Sequence, residues 1–374
     1  MRRIENILII DDLERGKKLK MSIAIKVKNI GIRIKQNIDI RAKNYKGASN
    51  PKSDEIIILN TAMGSDNLGD EIIMYYYSKA MEGIVSPQNL YNIATHKKLS
   101  DADVERLLNC KYAIIIGTNI LSPQMELYSG WKFDNRLIRM RNVILVGVGW
   151  WGYKKPSVYS KYVYRNILSK HVIHSVRDEQ TYRMLKSSGI DNVVNTDCLT
   201  MIGLDKSCGS IPEVKAENVL FTLTGILKRV DNDKNLIRVL RRNYKKLYYF
   251  PQGNTDLEYL KNITNVDDIT IIDESFEAYT DFLKDNNIDF DYVGTRLHGG
   301  IHAMQNGRRS IIIAVDNRAI EIAYDTGLPV ILESEVGEKI EAMINSSWKT
   351  EVKLNTEAIE TWRNSFATIT EGNK

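Results

Sequence analysis

SKHVIHSVRDEQTYRMLKSSGI, residues 169–190, decides how the chain folds. It begins as a short apolar segment with the look of a strand. Ser175 and Asp178 then form an S-x-x-D capping pattern, which opens a helix. A helical run follows and stops at Gly189. NVVNTDCL (192–199) gives the next strand. Strand, turn, helix and strand in succession is the unit from which parallel sheets are built.

The same unit recurs on both sides. Upstream, EIIILN (55–60) reads as a buried strand, followed by a glycine loop and the helix DEIIMYYYSKAMEG. NLYNIA, the polar helix SDADVERLLN, and the strands KYAIIIG (111–117) and RNVILVGVG (141–149) come next. GLDKSCGSIPEVKA (203–216) is polar with glycine and proline and reads as a linker. A second series follows: ENVLFTLTG, the helix DKNLIRVLRRN, KLYYFPQG, DDITIID, the helix FEAYTDFLKDN, DFDYVGTRLHGG, and RRSIIIAVDNRAIEIAYDTGLPVIL. The expected fold is α/β: two Rossmann-like parallel-sheet lobes, GT-B-like, with a central cleft at the strand ends. The expected divisions are a basic extension (1–50), an N-terminal lobe (51–205), a C-terminal lobe (215–335) and terminal helices packing back on the lobes (336–374).

Composition narrows the function classes. The chain has 43% hydrophobic and 26% charged residues, a globular balance, and no apolar run long enough to span a bilayer. The formal net charge is +5, but residues 1–50 hold 13 Lys and Arg against 5 Asp and Glu, so the remainder sums to −3. The folded body therefore lacks the footprint of a nucleic-acid binder. The basic segment MSIAIKVKNIGIRIKQNIDI reads either as an amphipathic helix able to lie on an anionic membrane or as a solvated ribbon. Cys110, Cys198 and Cys208 show no metal spacing and fit a reducing cytosol. The expected location is the cytoplasm, at the inner face of the membrane if the basic segment binds there.

Residues just after the strands are the candidates for chemistry. In NLGDE, Asn67, Gly69, Asp70 and Glu71 open a helix, with Asp66 before them. The carboxylates either cap that helix or face the cleft as a base. Arg177, after its strand, either clamps an anion or pairs with Asp178 or Glu179. In TRLHGG, Arg296 offers a guanidinium fork, His298 a proton near neutral pH, and Gly299 and Gly300 exposed N–H groups at a helix start. That combination suits a small phosphorylated acid with acid–base chemistry beside it. His298 and His302 are spaced i, i+4, but no third ligand is evident, so no metal is expected. VGVGWWG lacks the full dinucleotide motif, while Trp150 and Trp151 either stack on a sugar or fill the interlobe gap.

Taken in order, NLGDEII (67–73), VGVGWWG (146–152), SVRDEQTYRMLKSSGI (175–190), TDCL (196–199), FPQG (250–253), DYVGTRLHGGIHAMQNG (291–307) and IIIAVDNRAIEIAYDTGL (311–328) resemble the polysaccharide pyruvyl transferase family. The resemblance implies a two-lobed transferase with phosphoenolpyruvate as donor and no other cofactor. The implied acceptor is a sugar of a surface polysaccharide or of its lipid-linked precursor, and the product a pyruvate ketal. Carried over, Arg296 and His298 would meet the donor, and Arg177 and the NLGD loop would face the cleft; Gly299, Gly300, Arg177, Asn317 and Arg318 are expected to help bind the donor. His298 would protonate its methylene carbon, with Asp70 or Glu71 as base. Asn67, Asp66, Trp150 and Trp151 would meet the acceptor. The chain departs from the family pattern at Gly117-Thr118-Asn119, at Cys198 after Asp197, and in GRRS and VDNRA. A glycosyltransferase using a nucleotide sugar and a non-catalytic glycan-binding scaffold are the alternatives.

Overall fold

The computed structural model describes residues 51–84, 90–127 and 130–371, with Lys28, Asn29, Gly31, Ile32 and Lys35 before them. The basic segment 1–50, with the membrane contact expected of it, otherwise lies outside the described residues.

The fold is α/β with parallel sheets throughout, in two Rossmann-like lobes. In the first, strands β1 (Ile56–Asn60), β2 (Leu90–Ala94), β3 (Tyr112–Ile116) and β4 (Val143–Val146) are ordered β2-β1-β3-β4. β5 (His174–Val176) and β6 (Val193–Asn195) pair beside them, joined through the Val148–Val176 bridge. Side chains replace part of the ladder between β4 and β5. The Leu145 N–H donates to His174 Nδ1 at 3.2 Å and the Gly147 N–H to Ser175 Oγ at 3.0 Å. Ser175 is thus a sheet residue. The cap of the following helix is Asp178, whose side chain accepts from the Thr181 N–H.

The second lobe has β7 (Asn218–Thr222), β8 (Leu247–Tyr249), β9 (Ile269–Ile271), β10 (Phe290–Gly294), β11 (Ser310–Ala314) and β12 (Val330–Leu332), ordered β12-β11-β10-β7-β8-β9. In the four- and six-stranded sheets the strand order switches once, between β1 and β3 and between β7 and β10. In open α/β sheets such switches form the crevice where ligands bind.

Four helices position the site. They are α1 (Leu68–Ala80) after β1, α2 (Asp256–Ile263) after β8, α3 (Leu297–Gln305) after β10 and α4 (Asn317–Thr326) after β11. Each lobe keeps an apolar cluster of its own. A further cluster spans both lobes, with Ile72 and Tyr76 of α1 joining Tyr279, Ile301 and Trp362. The segment read as a linker is packed into it as well, through Leu204, Cys208 and Ile211. The last helix (Thr356–Glu371) returns to the first lobe. Asn355, just before it, donates its backbone N–H to Asp197 at 2.6 Å, and Trp362 and Phe366 are buried. No helix among the described residues is long and apolar enough to cross a membrane.

Candidate active site

The strand ends of the two lobes meet across a closed seam. From the first lobe, Asn67 forms an antiparallel bridge with Gly253, and the Leu68 N–H donates to the Gln252 carbonyl at 2.8 Å. Asn67 Oδ1 caps α1 through Gly69 and accepts from Gln252 Nε2 at 3.2 Å and Arg296 Nη1 at 3.4 Å. The expected acceptor residue Asn67 is therefore part of a clasp between lobes. Asp66 is exposed, and its carbonyl accepts from the Asn254 N–H.

Arg296 and His298 were expected at the mouth of an open cleft. They lie inside the seam, only 8% and 3% exposed. Arg296 grips the fully buried Asp256, with Nη2 at 2.5 and 2.6 Å and Nε at 3.0 Å from its oxygens. Asp256 also accepts from the N–H groups of Gly225 and Gln252, so one carboxylate ties together the loops after β7, β8 and β10.

Arg177 reaches the seam from the end of β5. Its Nε pairs with Asp178 at 3.2 Å and its Nη2 with Asn119. A Cβ at position 149 would overlap the guanidinium, which is why Gly149 stands beneath it. Asn119 follows Thr118, a non-glycine residue held at φ 52°. Left-handed backbone at such a residue costs about 1–3 kcal/mol and clusters at functional sites. Arg318, at the start of α4, pairs with Asp316 at 2.6 Å. Burial pushes the Asp316 carboxyl up, but the charges of Arg318 and Arg177 override it and hold the group below its usual range.

Three buried side-chain atoms in this seam lack a hydrogen-bond partner among the described residues: Arg177 Nη1, Gln252 Oε1 and His298 Nε2. Unpaired buried polar atoms are costly and call for a partner. Burial, and then the charges of Arg318 and Arg177, push the His298 imidazole well below its usual range, against the pull of Asp316. The ring is therefore neutral in this arrangement. Asp70 is buried and accepts from Ser65 Oγ at 2.6 Å. Burial raises its pKa against the opposing effects of the Ser65 hydrogen bond, His96, Arg318 and Thr118.

Several expected site residues are placed otherwise. Glu71 is exposed, because neighbouring helical residues point about 100° apart and Asp70 already faces inward. The Gly300 N–H is not bare, since α3 begins at Leu297 and that N–H donates to the Arg296 carbonyl at 3.0 Å. Gly300 instead permits close packing: a Cβ there would lie 2.6 Å from Ile312 and 2.8 Å from Tyr292. Gly299 lies in the first turn of a helix with no side-chain cap, and its carbonyl accepts from Tyr279 Oη. Trp150 is fully buried, packed on Tyr164 with Nε1 donating to the Lys154 carbonyl, so it is a core residue and no sugar platform. Trp151 is 49% exposed. Asn317 crosses the seam and donates to the Trp150 carbonyl at 3.2 Å. Both His302 nitrogens meet hydroxyls, Tyr76 at 2.8 Å and Thr280 at 3.1 Å, which makes it a tie between lobes. Among the described residues no group of three or more His, Cys, Asp or Glu is placed to hold a metal ion.

Asp256 and Thr200 belong to the site and were not singled out in the sequence, while Asn119 and Gln252 were read there only as residues just after strands. Asp256 opens α2, for which the sequence suggested no helix.

Among solved structures the chain is similar to UDP-GlcNAc 2-epimerases. That of Methanocaldococcus jannaschii, in complex with UDP-GlcNAc and UDP, is 12% identical with a TM-score of 0.48, over 84% of this chain and 98% of that one. The Rickettsia bellii enzyme is 10% identical with a TM-score of 0.46, over 85% and 96%. The Neisseria meningitidis enzyme bound to UDP-GlcNAc is 10% identical with a TM-score of 0.42, over 84% and 98%. Likeness this distant lends no substrate to this chain. Comparison with curated proteins gives no match. The sequence does match the polysaccharide pyruvyl transferase family over residues 67–317, more than half of its length and every element of the seam up to Asn317. The chain belongs to the polysaccharide pyruvyl transferase family, and it is a transferase.

Proposed function

We propose that the seam binds phosphoenolpyruvate and transfers its pyruvyl group to two hydroxyls of a sugar, in a surface polysaccharide or its lipid-linked precursor. One observation carries this reading. Arg177 Nη1 and His298 Nε2, both buried and unpartnered, lie in one electrostatic neighbourhood with Arg318 and Asp70, at strand ends of both lobes. A small polyanion with a protonatable carbon answers that demand. Its negative charge beside Nε2 offsets Arg177 and Arg318, so the imidazole gains its proton as the donor arrives.

His298 then gives that proton to the methylene carbon, and positive charge develops on the carbon bearing the phosphate. A sugar hydroxyl attacks there and loses its proton to Asp70, whose carboxylate burial makes more basic than usual. The bond to phosphate breaks, held by Arg177 and Arg318. A second hydroxyl closes the ketal and its proton leaves with the phosphate. Asp70 returns its proton through solvent, and His298 is recharged with the next donor.

The test is incubation with phosphoenolpyruvate and candidate glycans, following phosphate release and the new ketal methyl signal. Release dependent on acceptor, reduced about 10²–10⁴-fold in His298→Asn, is the expected result. Stabilisation by a nucleotide sugar, with no response to phosphoenolpyruvate, would overturn the reading.

A further inference from the structure

His298 lies on α3, but its ring is oriented from outside that helix. Thr200 belongs to the one-turn helix Leu199–Met201 that follows β6, and its Oγ1 lies 3.4 Å from His298 Nδ1. Thr200 is fully buried. Cys198 Sγ lies 3.2 Å from the same hydroxyl and 4.0 Å from Nδ1. The turn is docked in register by a second residue of α3. Gln305 donates Nε2–H to the carbonyls of Thr200 at 2.9 Å and Ile202 at 3.2 Å. His298 and Gln305 are seven residues apart, two helical turns, and so share one face of α3. One end of that face holds the imidazole, and the other grips the backbone carrying the hydroxyl that faces it.

From this geometry we infer that Thr200, held in place by Gln305, is a positioning residue that fixes the His298 ring so that Nε2 is the nitrogen exchanging a proton with substrate. A hydroxyl suits the role because it serves both ring states. It donates to Nδ1 when the imidazole is neutral and accepts from Nδ1–H when it is charged. In the neutral state Nδ1 is the strongest acceptor near the Thr200 O–H, since thiol sulfur accepts weakly. The proton of the neutral ring then sits on Nε2, the atom without a partner. Cys198 supplies a soft wall behind the hydroxyl. This assignment rests on the reading of His298 as the proton donor, but the ring state can be measured without turnover.

The experiment compares Thr200→Val, Thr200→Ser and Gln305→Met in the full chain. Nitrogen NMR of labelled histidine, run without substrate, reads which ring nitrogen of His298 carries the proton, using His298→Asn to assign the signal. The wild type and Thr200→Ser are expected to show the Nε2–H form. Thr200→Val and Gln305→Met should show a mixture of both forms. In turnover, Thr200→Val should lower kcat about 10-fold or more with the donor KM unchanged, and Thr200→Ser should restore most of it. Thermal melting checks folding, and Gln305→Met tests the same contact if Thr200→Val does not fold. An Nδ1–H ring in the wild type, or the same ring state in all folded variants, would overturn the inference. If the ring state behaves as stated while no variant turns over phosphoenolpyruvate, the positioning stands and the proposed reaction fails.

Discussion

Strand β10 carries a buried arginine–aspartate pair at each end. At its amino end Asp291 meets Arg309 at 2.8 Å, with the Tyr244 hydroxyl on the same carboxylate at 2.7 Å. Arg309 Nη2 donates to the carbonyls of Met343, Ile344 and Ser346, all within one lobe. At the carboxyl end Arg296 meets Asp256 with similar closeness, yet it also reaches Asn67 of the opposite lobe. The chemical motif is the same at both ends. The amino-end pair holds terminal elements to the sheet, while the carboxyl-end pair shapes a seam between lobes. Burial of a charged pair does not by itself mark function; its place on the sheet does.

The largest effects come from breaking the pairs. Arg309→Met leaves the Asp291 charge buried and should cost about 3–5 kcal/mol in urea unfolding, with the donor KM unchanged in the protein that still folds. Arg296→Met should also destabilise but should raise the donor KM as well. A raised KM in Arg309→Met would erase the distinction between the two ends.

A smaller effect separates the two histidines of α3. Burial, helped by Lys79 and Lys284, lowers the His302 pKa to about 4 from a usual value of 6.5. The unfolded chain therefore binds a proton that the folded one refuses between those values. The stability this residue contributes is whole above pH 6.5 and is lost as pH falls toward 4. The difference in stability between wild type and His302→Phe should shrink across that window, by at most about 1.4 kcal/mol per pH unit. A difference flat in pH would mean that His302 is not the neutral tie between Tyr76 and Thr280.

The smallest effect, that of Trp151→Ala, sharpens the acceptor side when set against its fully buried neighbour. Trp150→Ala removes a fully buried ring and should cost about 3–5 kcal/mol. Trp151→Ala, half-exposed, should stay within about 0.5 kcal/mol and act, if at all, on the acceptor KM. Equal destabilisation by both would contradict the division between core and surface.

The alternation of strands and helices was legible because buried parallel strands are short apolar runs ended by glycines, as in KYAIIIG and DYVG. Helices missed in the sequence include Val158–Ile167 and Asp256–Ile263. The first is rich in valine and tyrosine, which blur a helical period. The second has eight residues and no side-chain cap, and it hid Asp256 between FPQG and a polar loop. TRLHGG was legible as a site because it joins a strand end to a helix start. Its partners Asp256 and Thr200 were not, since they reach it only through tertiary packing. Glu71 could have been set aside from the sequence alone, because it cannot share the inward direction of Asp70. Gly300 misled because its role lies in the packing of α3 on Ile312, which spacing does not reveal.

The most direct test of the central claim is calorimetric titration with phosphoenolpyruvate of the wild type, Arg177→Met and Trp151→Ala, repeated in buffers of different ionisation enthalpy. The account predicts one site with proton uptake on binding, lost in Arg177→Met when that variant melts as a folded protein and kept in Trp151→Ala. Unchanged binding in folded Arg177→Met, or no binding by the wild type, would contradict it.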